Sequence, residues 1–420
     1  MKGGIVMIRS IKCIFLLLLV TFILTACSQK PDNKTAYLNN QDTDNNSTTT
    51  APEQQSDHNS LIMEIQPAAA DYTKMFGKLD KLPEGNDFGY DIRSTDLSDC
   101  DLSNEYSKLL QTTFDSKTVW PDSLPEDFKP NEIMDLYKNP GLGIRTLHEK
   151  GITGKGIGLA IIDQPLLVDH SEYKDRLKYY SERESVTYQE ASMHGPAVTS
   201  IAVGKDIGVA PEADLYYIAD DFHIIKDDYS LLAESINELL DLNKTIPNEN
   251  RIRVISISWG YDTKEAAGSE ELKKAYQRAE DENVFVITTS LYAREDMEFF
   301  GLDKYPLSDP DDFNSYTKIF YGNDKSTYNI AVPMNYRCTA SPTGTEDYVV
   351  YREGGKSWAT PYVAGLYVLA CQVKPDITPQ EFWELAASTA RIGSGTYEGD
   401  EYKTPFIVDP VAIMDKLKKE

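Results

Sequence analysis

The stretch GIGLAIID, residues 156–163, decides how this chain is organised. It is apolar up to its final residue and shows no alternation of polar and apolar positions. Such a run is typical of a strand that is covered on both faces, as in a parallel sheet. Asp163 is then expected at the carboxyl end of a buried strand.

Four further runs share this character, and helical patterns lie between them. The other predicted strands are LYYIA (215–219), RVISIS (253–258), VFVITT (284–289) and YNIAVP (328–333). Two predicted helices are SLLAESINELLDL (230–242) and EELKKAYQRAE (270–280). This alternation predicts an α/β fold, a doubly wound, mostly parallel sheet with helices on both faces. Ligands bind such sheets beyond the carboxyl ends of the strands.

The composition narrows the class of partner. The 420 residues carry a formal net charge of −25, and 41% of them are hydrophobic. A sizeable hydrophobic core is therefore expected, in one large domain or two smaller ones. Nucleic acid is excluded as a partner, because phosphate binding needs a basic face. The acidity fits a solvated surface or a preference for basic partners.

The first 27 residues have the order of a secretory signal. Lys2, Arg9 and Lys12 precede the apolar run IFLLLLVTFIL (14–24), which is followed by small residues. Eleven apolar residues fall short of the roughly 20 that a membrane-spanning helix needs. The ending LTAC (24–27) resembles the bacterial lipobox. That resemblance implies cleavage before Cys27, diacylglycerol on its sulfur, and a protein anchored at the extracytoplasmic face of the cell membrane.

The chain divides into four parts by composition. Residues 1–26 are the predicted lipoprotein signal peptide, and residues 27–60 are a predicted disordered tether rich in Asn, Asp, Thr and Ser. Residues 61–130 regain aromatic side chains and are either a pro-segment or an accessory region. We predict that this region stays attached as a packed layer. Residues 131–420 form the predicted α/β domain.

Three polar residues stand in settings that suit catalysis. Asp163 ends a strand, His194 opens an apolar helical pattern, and Ser357 follows two glycines and a lysine. A helix beginning near Ser357 directs free backbone N–H groups toward the serine, where they can stabilise an oxyanion. Taken singly, each residue also fits a structural role, as a turn residue, a packing residue or a helix cap.

Together, four blocks resemble the subtilisin-like serine proteases, the subtilases. They are GKGIGLAIID (154–163), HGPAVTSIAVGKDIGVAPEADLYYIA (194–219), VISISWG (254–260) and GGKSWATPYVAG (354–365). The order Asp, His, Ser, with separations of 31 and 163 residues, is also that of the family. The resemblance extends over about residues 140 to 390.

This resemblance implies a serine endopeptidase that works through an acyl-enzyme. Ser357 would attack the peptide carbonyl, His194 would move the proton, and Asp163 would orient the imidazole. Ser258, Trp259 and Gly260 would form an edge along which an extended peptide binds as an added strand. The expected partners are thus a peptide or protein substrate and, through the lipid, the membrane.

Two departures from the family pattern bear on activity. Lys356 and Trp358, which flank the serine, replace a threonine and a methionine. Leu291-Tyr292 stands where the family has Gly-Asn, whose asparagine helps to hold the oxyanion. Ser290, Tyr292 and Asn314 are candidate replacements. The alternative function is therefore a catalytically weak or inactive subtilase-fold lipoprotein that binds peptides at the cell surface.

No resident cofactor or metal is predicted. Cys100, Cys338 and Cys371 are odd in number and widely spaced, which argues against a disulfide framework or a zinc site. The acidic run DPDDF (309–313) lacks the ligand spacing of a calcium-binding loop and is interpreted as a solvated loop. Members of the family often bind calcium, but no motif transfers its positions here.

Overall fold

The structure is a computed structural model, and every residue it describes falls in one compact unit, His58–Glu420. The described residues are 66–72, 77–86, 88–221, 228–260, 266–289, 297–320, 328–397 and 399–419. The predicted signal peptide, the tether and Cys27 lie outside them. Within the described ranges, no helix combines the length and the apolar character needed to cross a membrane.

The strands are numbered in chain order. They are β1 (Tyr90–Asp91), β2 (Thr112–Asp115), β3 (Gly158–Asp163), β4 (Leu177–Glu182), β5 (Asp214–Ala219), β6 (Ile252–Ile257), β7 (Phe285–Thr288), β8 (Met297–Lys304), β9 (Tyr316–Phe320), β10 (Tyr328–Pro333), β11 (Arg337–Ala340), β12 (Tyr348–Tyr351), β13 (Arg391–Tyr397) and β14 (Asp400–Ile407).

The helices are numbered in the same way. They are α1 (Tyr106–Leu109), α2 (Pro130–Tyr137), α3 (Ile144–Glu149), α4 (His194–Val203), α5 (Ser230–Asn243), α6 (Ser269–Asp281), α7 (Lys356–Val373), α8 (Pro379–Thr389) and α9 (Pro410–Leu417).

The central sheet is parallel throughout and confirms the predicted fold class. Its order is β4-β5-β3-β6-β7. Successive residues of β3 enter different cores, because side chains alternate across a strand. Leu159 and Ile161 pack with α4 and α7 on one face, while Ala160 and Ile162 pack with α5 and α6 on the other. The carboxyl end of β3 is thereby fixed between two helical layers.

The predicted strand at 328–333 differs from the other four in its position. It forms β10, which belongs to a second sheet with the order β13-β14-β10-β8-β9. In this sheet β10 pairs in parallel with β8 over six residue pairs, from Tyr328 opposite Met297 to Pro333 opposite Leu302. The sequence MEFFGLDK of β8 was not identified as a strand, and neither was β4, whose polar residues interrupt the apolar run.

Residues before 131 contribute to a third sheet. Its order is β1-β2-β12-β11, and β2 pairs antiparallel with β12, a few residues before Ser357. A separate apolar cluster joins Ile92, Leu97 and Phe114 to Cys338 and Val350. The segment therefore shares a sheet and a core with the late part of the chain. That it stays attached in the mature protein remains a prediction.

Local signals in the sequence have clear structural counterparts. Thr378 accepts the N–H of Glu381, whose side chain in turn accepts the N–H of Thr378, so the capping box at the start of α8 is complete.

Cys100, Cys338 and Cys371 are free and buried. Among the described residues, no group of three or more His, Cys, Asp or Glu side chains is arranged to hold a metal ion.

Candidate active site

Asp163 is the last residue of β3, and its side chain is almost fully removed from solvent. Its relative exposure is 1%. Oδ1 accepts the N–H of Gln164 at 2.8 Å and lies 2.6 Å from Nδ1 of His194. A carboxylate that is buried and hydrogen-bonded in this way is held in one orientation. The strand end therefore aims a fixed negative charge at one nitrogen of the imidazole.

His194 is the first residue of α4, and a neighbouring serine fixes that helix end. Oγ of Ser192 accepts the N–H groups of His194, at 3.1 Å, and of Gly195, at 3.0 Å. These are two of the N–H groups that lack partners within a helix. Ser192 was not identified from the sequence, because it precedes the N-cap residue Met193 and so lies outside the position where a capping serine is expected.

Gly195 allows α4 to begin close to the end of β3. A Cβ atom at this position would lie 2.4 Å from the carbonyl oxygen of Gln164 and 2.6 Å from the hydroxyl of Tyr217. Contacts this short do not occur for real Cβ atoms. Any larger residue would push the helix away from the strand, and His194 would move away from Asp163 with it.

Ser357 is the second residue of α7 and is tied to the end of β6 by a reciprocal pair of hydrogen bonds. Its Oγ donates to the carbonyl oxygen of Ser258 at 3.1 Å, and Oγ of Ser258 donates to the carbonyl oxygen of Ser357 at 2.9 Å. The preceding Gly355 has φ of +66°, a conformation that glycine adopts readily. The candidate nucleophile thus stands at a tight helix start.

Trp358 connects the two halves of the site. Its indole meets the His194 ring edge to face, with ring centroids 5.3 Å apart and an angle of 71° between the planes. A second such contact, at 5.2 Å, joins it to Tyr351 on β12. Trp358 is 2% exposed. The structure therefore brings His194 against the residue that follows Ser357, so the three predicted site residues share one region.

The predicted peptide-binding residues follow β6 at the same edge of the central sheet as Asp163. Ser258 is buried, Trp259 is half-buried and Gly260 is exposed. Trp259 packs edge to face on Tyr229, with ring centroids 5.7 Å apart. An accessible backbone segment that leaves a buried strand end is suited to pairing with an extended peptide.

An ion pair beside Ser357 was not anticipated from the sequence. Nζ of Lys356 lies 2.6 Å from Oε1 of Glu298 on β8, and the two side chains are 13% and 17% exposed. The ammonium also lies 4.4 Å from the ring centroid of Phe299. A cation at a helix N-terminus is disfavoured by the helix dipole. The carboxylate of Glu298 offsets this, and it links the helix that carries Ser357 to the second sheet.

The candidate replacements for the oxyanion asparagine are only partly described. Ser290, Leu291 and Tyr292 lie outside the described residues. Asn314, in a 3₁₀ turn at Phe313–Ser315, has its Oδ1 occupied by the N–H of Ser394 at 3.0 Å. Its carbonyl oxygen accepts the hydroxyl of Tyr402 at 2.6 Å. Asn314 is therefore held by the hairpin of β13 and β14, and it makes no contact with Ser357 among the interactions of the described residues.

Comparison with known proteins finds one matching family model. Residues 154–290 match the model of the Subtilase family. This segment includes Asp163, His194 and residues 258–260, whereas Ser357 lies beyond it. The family resemblance of the sequence is thereby confirmed.

Two curated proteases show the extent of the similarity. The chain is 26% identical over 282 residues to the subtilisin-like protease PopC of Myxococcus xanthus, covering 59% of this chain and 58% of PopC. It is 26% identical over 266 residues to subtilisin E of Bacillus subtilis, covering 60% and 65%. The chain thus spans about three fifths of the length of the curated relatives it matches. A solved structure, the PatG macrocyclase in complex with peptide, aligns with a TM-score of 0.48 at 16% identity, covering 66% of this chain and 96% of that one.

Proposed function

We propose that this chain, whose residues 154–290 match the Subtilase family model, is a serine endopeptidase that hydrolyses peptide bonds through Asp163, His194 and Ser357. The observation that carries the proposal is the 2.6 Å contact between Nδ1 of His194 and Oδ1 of Asp163. A buried carboxylate fixed on one imidazole nitrogen determines which nitrogen keeps its proton. The other nitrogen, Nε2, is then free to act as a base.

The proposed reaction follows from this tautomer. Nε2 of His194 takes the hydroxyl proton as Oγ of Ser357 forms a bond to the peptide carbonyl carbon. The protonated imidazole then gives its proton to the leaving amine as the C–N bond breaks. Water, deprotonated by the same nitrogen, then bonds to the acyl carbon, and the imidazolium returns that proton to Oγ of Ser357 as the ester bond breaks. Asp163 stays ionised and stabilises the imidazolium in both halves of the reaction.

The serine begins this reaction from a hydrogen bond to another acceptor. Its hydroxyl donates to the carbonyl oxygen of Ser258 at 3.1 Å. Rotation about the Cα–Cβ bond of Ser357 to another staggered rotamer breaks this hydrogen bond and makes the hydroxyl available to another acceptor. The start of α7 supplies oxyanion donors, because its first backbone N–H groups, including that of Ser357, have no acceptor within the helix.

We propose that the substrate is an extended peptide and that the enzyme acts at the outer face of the cell membrane. The peptide would pair with the backbone of residues 258–260, which places its scissile bond near Ser357. The anchor would be the diacylglycerol on Cys27, as the LTAC motif at 24–27 and the preceding apolar run suggest. Both parts rest on sequence motifs.

The second candidate function is a subtilase-fold protein that captures peptides with little or no hydrolysis. Two observations favour it. The hydroxyl of Ser357 donates to Ser258 and not to His194, and Leu291-Tyr292 replaces the Gly-Asn of the family. Loss of one oxyanion donor costs about 10²–10³ in turnover.

Fluorophosphonate labelling distinguishes the two functions. The reagent reacts quickly only with an activated serine. The soluble chain from residue 28 is compared with Ser357→Ala and His194→Ala, and with Ser388→Ala as a control on an exposed serine of α8. Rapid labelling that both active-site variants lose and the control keeps supports the endopeptidase. A folded chain that is not labelled but binds peptides supports the second function.

A further inference from the structure

The first described residues of the chain, 66–72, lie beside the loop at 189–193, which leads into α4. We call residues 66–72 the strap. The N–H of Ala68 donates to the carbonyl oxygen of Gln189 at 2.8 Å, and the carbonyl oxygen of Ala68 accepts the N–H of Ala191 at 2.8 Å. This is the hydrogen-bond pattern of neighbouring parallel strands. The strap therefore adds a short strand to this loop.

The same loop fixes the start of α4. Oγ of Ser192 accepts the N–H groups of His194 and Gly195. The N–H of Ser192 donates to the carbonyl oxygen of Pro165 at 2.9 Å, which ties the loop to the segment that follows β3. Ala191, the residue before Ser192, is tied to the strap. Because Oγ of Ser192 moves with its backbone, the strap helps to determine where α4 begins.

A second backbone contact connects the strap to α4 by another route. The N–H of Ala70 donates to the carbonyl oxygen of Pro342 at 2.9 Å, and Ala70 and Pro67 are both buried. Pro342 follows β11, and the N–H of Ala340 at the end of β11 donates to Oγ of Ser200 in α4 at 2.9 Å. The strap thus bridges two loops that both contact α4.

Tyr72, the last residue of the strap, joins a series of side-chain contacts that ends at His194. The guanidinium carbon of Arg93 lies 5.7 Å from the ring centroid of Tyr72 and 5.4 Å from that of Tyr351. Nη1 of Arg93 also donates to the hydroxyl of Tyr351 at 3.1 Å. Tyr351 packs on Trp358, which packs on His194. The strap therefore reaches the surroundings of His194 through its backbone and through a side chain.

We propose that Ala68 is a positioning residue for His194, and that the strap thereby supports catalysis. The inference rests on the proposed role of His194 as the base. Without the strap, Ala191 loses its acceptor and Ser192 can shift, so the imidazole is aligned for less of the time. A misplacement of about 1 Å at a catalytic group can cost on the order of 10²-fold in rate. Removal of residues up to 72 should therefore lower activity, whereas removal of an inhibitory pro-segment would raise it.

A proline at residue 68 tests the proposal in the soluble chain from residue 28. Ala68→Pro removes the N–H that donates to Gln189, and proline is poorly tolerated in a paired strand. We expect kcat on an unstructured protein to fall by about 10- to 100-fold with KM unchanged, because lost alignment weakens the transition state and not substrate binding. Circular dichroism checks the fold. A folded Ala68→Pro protein with the kcat of the parent would overturn the proposal.

Ala69→Pro is the matched control, one residue away. Ala69 is exposed, and its N–H has no acceptor among the described residues. The variant leaves both hydrogen bonds of Ala68 in place, since a residue before proline favours the extended conformation that pairing needs. We expect it to keep the kcat of the parent. Equal losses in the two variants would show that proline in the strap, and not the lost pairing, lowers kcat.

A chain that begins at residue 73 covers the case in which Ala68→Pro does not fold. It lacks the strap, which is then supplied as a synthetic peptide of residues 62–72. A low kcat that the peptide restores in a saturable way supports the proposal. A folded chain from residue 73 with the kcat of the parent and no peptide contradicts it.

Hydrogen exchange separates this inference from the proposed function, because it needs no turnover. NMR compares the N–H groups of Ala191, His194 and Gly195 in the parent, Ala68→Pro and Ala69→Pro. Exchange at Ala191 should quicken in Ala68→Pro whatever the role of the strap. We expect His194 and Gly195 to exchange faster as well, by about tenfold or more. Unchanged exchange at these two residues would refute the positioning role even in an active enzyme. Faster exchange in a chain that hydrolyses nothing would support that role and contradict the proposed function.

Discussion

Asp163 and His194 are in direct contact: Oδ1 of Asp163 lies 2.6 Å from Nδ1 of His194, and a strand end and a helix start position the two side chains. Ser357, in contrast, is held by contacts to several distant parts of the chain. We call Asp163 and His194 the acid–base half of the site; its geometry depends on the end of β3, on Ser192 and on the space that Gly195 leaves. We call Ser357 and the start of α7 the nucleophile half; its geometry depends on Ser258 after β6 and on Glu298 in β8.

The two halves also differ in their likeness to the family. The acid–base half lies wholly within residues 154–290, which match the subtilase model. Ser357 and its neighbours Lys356 and Trp358 lie beyond that segment, although Ser258, which holds the serine hydroxyl, lies within it. The comparison teaches that the contact between Asp163 and His194 lies within the segment that matches the family model, whereas the contacts of Lys356 and Trp358 involve residues that the match does not cover.

The largest expected effect comes from removing the reacting groups themselves. Ser357→Ala and His194→Ala should each lower kcat by about 10⁶-fold, and Asp163→Asn by about 10⁴-fold, because the amide cannot orient or stabilise the imidazolium. Steady-state hydrolysis of an unstructured protein measures this, with circular dichroism to show that each variant is folded. An Asp163→Asn enzyme with unchanged kcat would show that the acid–base half does not work as proposed.

The next largest effect is expected from a single methyl group at residue 195, which moves His194 away from Asp163. Gly195→Ala places a Cβ atom against the carbonyl oxygen of Gln164 and the hydroxyl of Tyr217. Overpacking of this kind costs about 1–3 kcal/mol, and the displaced His194 should lower kcat with little change in KM. Urea unfolding and steady-state kinetics measure the two effects.

Ser192→Ala is the comparison variant for Gly195→Ala. It removes an acceptor from the same helix start without adding volume, at a cost of about 1 kcal/mol. We expect it to lower kcat less than Gly195→Ala does. The reverse order would mean that the cap positions His194, and that the close approach of helix and strand does not.

The ion pair in the nucleophile half should contribute less. Lys356→Met leaves the carboxylate of Glu298 unpaired in a largely buried position, which we expect to cost about 1–2 kcal/mol in the free energy of unfolding. The double variant Lys356→Met with Glu298→Gln should recover part of that loss. Urea unfolding of the parent chain, the single variants Lys356→Met and Glu298→Gln, and the double variant gives the coupling energy between the two residues.

The exposed pair of Lys273 and Glu270 is the matched control for this cycle. Its nitrogen–oxygen distance is 2.7 Å, close to that of the buried pair, but its side chains are 57% and 72% exposed. Lys273→Met should leave the free energy of unfolding almost unchanged, because the solvent screens this exposed pair. If the two pairs show equal coupling energies, the link from α7 to the second sheet has no special strength.

The smallest effect is a pH dependence of stability set by His170, which is fully buried. Its Nδ1 accepts the N–H of Glu172 at 3.2 Å, and its Nε2 donates to the carbonyl oxygen of Asp347 at 2.9 Å. This arrangement holds the neutral ring, and burial lowers the pKa of His170 below 6.5. The unfolded chain therefore binds the proton first, and the free energy of unfolding decreases as pH falls from about 6.5.

That slope amounts to at most about 1.4 kcal/mol per pH unit for one group. Urea unfolding from about pH 7.5 to about pH 5.5 measures it, and His170→Gln should reduce it. His148, whose pKa burial also lowers, contributes in the same direction and remains in the variant. An identical slope in the variant and the parent would remove His170 as its source. This effect lies outside both halves of the site, so the variant should retain normal kcat.

Much of the fold was predictable because its elements are encoded by local pattern. Continuous apolar runs identified β3, β5, β6, β7 and β10, and the residues at 378–381 gave the start of α8. β4 and β8 were missed because polar and charged residues interrupt their apolar runs, and their pairing energy comes from neighbours distant in sequence. The placement of β10 in a second sheet depends on that same unrecognised β8.

For the site, the sequence by itself determined which residues carry the candidate chemistry and in which order they occur. Asp163 at a strand end, His194 at a helix start and Ser357 after two glycines are all visible locally. Only the tertiary structure decided what surrounds each one, from the Ser258 carbonyl that holds the serine hydroxyl to Glu298 beside Lys356. The physical reason is that hydrogen bonds and ion pairs act over a few ångströms, and folding alone brings together residues that are 58 and 99 positions apart in the chain.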